Sequence, residues 1–160
     1  MPLSVARGRL PGMTAWTLND IERAIRSSWG VDTCAPEDLA HWRPDNPARG
    51  QCGVTAMVLH DLLGGELMMG EVHVDGVRTD LHWWNRFATG FEVDLTREQF
   101  GPEEHVGPGR PVARPQRPGR LQAQYELLSR RVVAQLEAAR PGAAPAAVPH
   151  AVALAGRACA

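Results

Sequence analysis

The chain of 160 residues has no lysine: all seventeen basic side chains are arginine, against eighteen acidic ones, for a net charge of -1. Arginine in place of lysine, with abundant Ala, Gly and Pro, reflects GC-rich coding and carries no mechanism. The near-neutral balance excludes a strong overall field that would gather nucleic acid or an anionic membrane surface. Cysteine is scarce. Cys34, Cys52 and Cys159 are odd in number and widely spaced, which excludes a disulfide framework and a paired metal knuckle and predicts a reducing compartment. No run approaches the roughly 18 apolar residues of a membrane span. The opening MPLSVARGRLPGM lacks the apolar stretch of a signal peptide, so the expected location is the cytoplasm. There is no GxGxxG or Walker pattern and no HxE…PCxxC signature. Cys52, His60, His73 and His82 share no short ligand spacing, and neither a metal nor another cofactor is expected.

What is present is an ordinary globular composition, 44% apolar and 22% charged, in a length that fits one domain. The Gly, Pro and Arg-rich start and the Ala/Pro-rich end predict flexible segments at 1–13 and 141–160 around a working domain at 14–140. Thr17-Leu18-Asn19-Asp20 offers a helix cap, followed by Ile21, Ala24, Ile25 and Trp29 at helical spacing. GQCGVTAMVLHDLLGG places Val54, Met57, Val58, Leu59, Leu62 and Leu63 around much of a second helix, closed by Gly64-Gly65. Glu66–Val74, Arg78–Phe87 and Phe91–Leu95 read as antiparallel strands joined at Asp75-Gly76 and Thr89-Gly90. A Pro/Gly-rich loop from Gly101 to Gly119 carries Arg110, Arg114 and Arg117 and, with Arg120 beside it, is expected to be solvated, mobile and able to border the site. Leu121, Tyr125, Leu128, Val132 and Leu136 then form the stripe of a last helix, expected to cover the sheet. No repeat occurs, and the architecture is α+β: a helix packed on a small antiparallel sheet, with a C-terminal helix.

The sharpest chemical feature is Cys52, at the first turn of the second helix between Gln51 and Gly53. Unpaired N–H groups and the helix dipole there favour a thiolate and predict a lowered thiol pKa. The Cys52 amide can donate to a developing oxyanion. His60 lies roughly 12 Å farther along the helix, too far to serve as base. His82, in LHWWN, is the better candidate. If Ala88-Thr89-Gly90 form a three-residue loop, Asp94 lies opposite Trp84 and diagonal to His82 on the same face, a span of about 7–8 Å between Cβ atoms that the two side chains bridge. A two-residue loop would turn Asp94 to the other face. Asn85 is the alternative orienting residue, although an ideal strand points it away from His82.

Cys52, His82 and Asp94 thus stand as nucleophile, base and orienter. Their order, on one helix and two strands, and the phrase HWWN…GFEVDLT resemble the papain-like and transglutaminase-like thiol enzymes. GQCGVTA, LLGGEL, HWWN and DLTREQF are similar to the YunG-like family of small bacterial proteins, over roughly Ala15–Phe100 plus the final helix. The papain-like resemblance implies a side-chain amide as oxyanion donor. Asn46 stands where those proteases carry Gln, and Gln51 competes with it. Trp83 and Trp84 are candidates, with Asn85, for a substrate wall; core packing is the competing role for the tryptophans.

These features predict a cysteine-dependent hydrolase or acyltransferase that works through a thioester on a small molecule, peptide or carrier-bound acyl group, as in tailoring a specialised metabolite. Nucleic-acid and membrane partners are not expected, and the residues do not define an oligomeric state. Two other readings stand beside it: a non-catalytic ligand- or protein-binding module on the same fold, and a redox-sensing thiol.

Overall fold

The computed structural model describes residues 16–140. The flexible ends expected at 1–13 and 141–160, and with them Cys159, lie outside the described residues. Helix α1 spans Leu18–Ser28. Thr17 and Asp20 close a reciprocal cap, the Thr17 Oγ1 accepting from the Asp20 N–H at 3.2 Å and the Asp20 carboxylate from the Thr17 N–H at 2.9 Å. Ile21, Ala24 and Ile25 bury one face of it.

Helix α2, Cys52–Leu63, is buried without interruption from Val54 to Leu59, which explains why its apolar residues wrap the axis instead of forming a stripe. It stops at Gly64 and Gly65, both at positive φ. Strand β1, Glu66–Val74, turns at Asp75 (φ 50°) and Gly76 (φ 76°) into β2, Val77–Arg86. The register runs from Glu66 opposite Arg86 to Val74 opposite Val77, with one irregularity between Val72 and His73.

Strand β3, Glu92–Val93, pairs Asn85 with Val93 and Arg86 with Glu92, the register that the three-residue loop requires. The other edge of β1 carries two strands that the sequence reading treated as loop, β4 at His105–Val106 and β5 at Arg110–Val112. Both are too short for a period to be visible, and β5 contains Pro111. Their pairing is imposed by the open edge of β1.

Helix α3, Gln122–Ala138, buries Leu128, Val132 and Leu136. It packs on α1 and α2, which corrects the expectation that it covers the sheet. The reason is occupancy: α2 already lies on the sheet face that bears Leu67, Trp83 and Asn85, so the third helix completes a helical layer behind it. The opposite face, with Met68, Gly70, Val72, His82 and Trp84, is covered by the chain after β3. Gly109 runs so close to it that a Cβ there would stand 2.1 Å from Trp84 Cζ2. Among the described residues no helix is long and apolar enough to cross a membrane.

Candidate functional site

Cys52 is the first residue of α2, and Gln51 precedes it with its C=O accepting the Thr55 N–H at 3.0 Å. The thiol is half-buried and lines a cavity of about 160 Å³ together with Gly53, Asp38, Asp80, Leu81 and Trp83. The backbone N–H groups of Trp83 and Gly53 favour the thiolate. They do not prevail. Burial, with the Asp80 and Asp38 carboxylates, pushes the Cys52 thiol up to about 12, so the lowered pKa expected from the helix terminus is corrected. The resting group is a neutral thiol. Cys34, never a candidate nucleophile, is 1% exposed and pushed up to about 11, first by burial and then by Asp38 and Glu37.

His82 is fully buried on β2. Its Nε2 lies 2.7 Å from Asp94 Oδ2, so the structure brings these two predicted residues together. The Thr96 N–H donates to the other Asp94 oxygen at 3.2 Å. Trp84 stacks on the imidazole at 5.5 Å between centroids, and Phe100 meets it edge-on at 4.8 Å. With Nε2–H donating to the carboxylate, Nδ1 is an acceptor, and the Gln99 amide donates to it at 3.4 Å. The same amide donates to the Thr96 C=O at 3.0 Å, while Gln99 Oε1 accepts from the Gly50 N–H at 3.3 Å. Gln99 therefore ties the His82 ring to the loop that enters Cys52. Among the described residues no hydrogen bond joins the Cys52 sulfur to the His82 ring. Their link is indirect: Trp83, the neighbour of His82 on β2, lines the cavity that holds the Cys52 thiol, and Gln99 bridges the His82 ring to Gly50.

The other predicted site residues separate. Gln51 is fully buried, and its Nε2 donates to the Gly30 C=O at 2.9 Å. Asn46 Nδ2 donates to the Gln99 C=O at 3.0 Å. Neither amide faces the thiol cavity, because each is drawn to a backbone carbonyl that needs a donor. Asn85 is buried on the α2 side, its Nδ2 on the Ala56 C=O at 2.9 Å, and does not orient His82. Trp83 lines the cavity beside Cys52, whereas Trp84 is buried against His82 with its N–H on Glu92 Oε2 at 2.8 Å.

Sequence reasoning missed Gln99, and it left Asp38, Asp80 and Leu81 unassigned. Gln99 and Asp38 come from segments without periodicity, and nothing in their spacing relates them to Cys52. The arginine-rich segment does border the cavity, through Arg120, but it is not free: Arg120 pairs with Glu37, and Arg114 pairs with Asp61 at 2.7 Å.

No solved structure matches the chain. A protein of Bacillus subtilis (strain 168), named "Uncharacterized protein YunG", is 30% identical over 83 residues, which is 52% of this chain and 63% of the relative, so the match spans less than two thirds of that protein. The model of the YunG protein family matches residues 17–137, which takes in α1, α2, α3 but for its last residue, strands β1 to β5 and the cavity at Cys52. The chain belongs to the YunG family.

Proposed function

We propose that this protein is a cysteine-dependent acyl-transfer enzyme on a papain-like or transglutaminase-like frame, with Cys52 as nucleophile, His82 as base and Asp94 as its orienter. The observation that carries the reading is the shared placement: Trp83, next to His82 on β2, lines the same cavity as Cys52, Gln99 ties the His82 ring to Gly50 two residues before the thiol, and the ring is held 2.7 Å from Asp94. Asp94 keeps the proton on Nε2 and leaves the lone pair on Nδ1, the ring nitrogen nearer the backbone.

Because the thiol rests neutral, its proton leaves during attack and not before it. His82 Nδ1 gives up the long bond from Gln99 and takes that proton as the sulfur–carbon bond forms. The carbonyl oxygen becomes an oxyanion, received by first-turn N–H groups of α2, which have no helical partner. As the oxyanion collapses, the bond to the leaving group breaks, and the leaving group takes the proton from His82. Water or an amine then attacks the thioester, passing its proton through His82 to the departing sulfur. The substrate class is a small molecule, peptide or carrier-bound acyl group.

The test is exposure to a panel of N-acetylcysteamine thioesters, read by intact mass and peptide mapping. An acyl adduct on Cys52, lost in Cys52→Ala and slowed in a folded His82→Ala protein, is the expected result. A wild-type protein that acquires no adduct on Cys52 from any donor overturns it. A second reading, a binding module on the same fold, draws on the neutral thiol and on the engagement of both His82 nitrogens. It predicts ligand binding that is unchanged in Cys52→Ser.

A further inference from the structure

The thiol cavity adjoins a second one of unlike chemistry. About 200 Å³ in volume, the second cavity is bounded by Met57, Pro115 and Pro118 and shares Gly53, Trp83, Leu121 and Arg120 with the first, the Arg120 charge being taken up by Glu37. Gly53 stands on the common wall, where an added Cβ would lie 3.1 Å from Leu121 Cδ1, so a side chain there would crowd the wall that the two cavities share. An apolar cavity of about 150 Å³ holds a benzene molecule, so this one has room for one aromatic ring or a chain of about five or six carbons.

The first cavity carries Asp38, Glu37 and Asp80 against Arg120 alone. Arg120 is taken by Glu37. Arg49 is divided between Asp38 at 3.0 Å and Glu104 at 2.9 Å. Among the described residues Asp80 enters no ion pair; its Oδ1 accepts the Leu81 N–H. The cavity therefore keeps negative charge next to the nucleophile.

We infer that Cys52 stands between two subsites, the Met57 cavity for a neutral apolar acyl group and the Asp80 cavity for an ammonium or guanidinium group on the other half of the substrate. This rests on the reading of Cys52 as acyl acceptor and names the substrate class: an apolar acyl group joined to, or passed to, a neutral amine or hydroxyl of a molecule that carries a separate cationic group. A cation seated at Asp80 also cancels part of the field that disfavours the thiolate, so the correct partner would ease the attack that an empty site resists.

The test uses methanethiosulfonate probes, which need no substrate. Rates of Cys52 modification by aminoethyl, sulfonatoethyl, methyl and n-butyl reagents are followed by peptide mass and divided by their rates with N-acetylcysteine. The aminoethyl reagent is expected to exceed the sulfonatoethyl one by about tenfold or more at low salt, with the ratio falling several-fold in Asp80→Asn. The butyl reagent is expected to outpace the methyl one, and Leu121→Trp, in a protein that still melts cooperatively, to cut the butyl rate several-fold more than the methyl rate. Equal normalised rates, or a thiol that no reagent reaches, overturn the inference. The two readings fail separately. Selective labelling without a thioester adduct leaves a binding cleft and no enzyme, whereas an adduct formed without selectivity leaves the enzyme and removes the subsites.

Discussion

At the scale of residues, the informative contrast is between two ionisable groups brought close by α2 and β2. His82 is completely buried and yet fully partnered, so its burial costs little. At Cys52 burial, added to by two nearby carboxylates, outweighs the backbone N–H groups that favour its thiolate. Alkylation by iodoacetamide should therefore be slow at neutral pH and rise about tenfold per pH unit toward pH 12, since only the thiolate reacts. A labelling plateau below pH 8 that disappears in His82→Ala would instead reveal a preformed ion pair. Asp94→Asn removes the charge that receives the Nε2 proton, and thioester formation should drop by about 10²–10⁴-fold, measured as single-turnover adduct formation.

At the scale of elements, local rules account for the frame that carries the site. The Thr17 cap, the all-round burial of α2 and the two-residue turn at Asp75-Gly76 were legible because each depends on residues within a few positions of one another. So was the pairing of His82 with Asp94, once a three-residue loop set the register of β3. Thr17→Ala should cost about 1 kcal/mol and Leu128→Ala about 2–5 kcal/mol, both measurable by urea unfolding. Strands β4 and β5 were not legible, because two or three residues show no period and the edge they add to lies more than thirty positions away. Gly109→Ala tests that closure. With Trp84 in the way of the new methyl group, the variant should lose stability and the stacking on His82, seen as a shift in the His82 ring resonances.

At the scale of the molecule, the missing lysine has a thermodynamic consequence. Among the described residues the groups that titrate between about pH 9 and 12 reduce to Cys34, Cys52 and Tyr125, all three raised, first by burial. A raised thiol pKa contributes stability below the thiol's ordinary value near 9, which is lost as the pH climbs through the folded value. Stability should thus fall from about pH 9 toward pH 12, with Cys34 alone accounting for roughly 3 kcal/mol of the loss. Urea midpoints across that range should flatten in Cys34→Ala compared with wild type. An unchanged slope would show that the folded protein accommodates the Cys34 thiolate.

The amino-acid sequence by itself determined the helices α1 to α3, the β1–β2 hairpin and the place of Cys52 at a helix start, and it left two registers for β3, of which the structure takes the one that sets Asp94 beside His82. All of these follow from periodicity, capping and turn chemistry acting over short separations. Tertiary structure decided the rest. It set α3 against helices instead of the sheet and drew the amides of Asn46 and Gln51 to distant carbonyls. It placed Gln99 on His82 and raised the thiol that its helix alone would have lowered. Each of those outcomes depends on which surfaces remain uncovered once the layers meet, and on charges brought close by chain segments far apart in sequence. Burial and electrostatic environment are sums over neighbours in space, and no local pattern contains them.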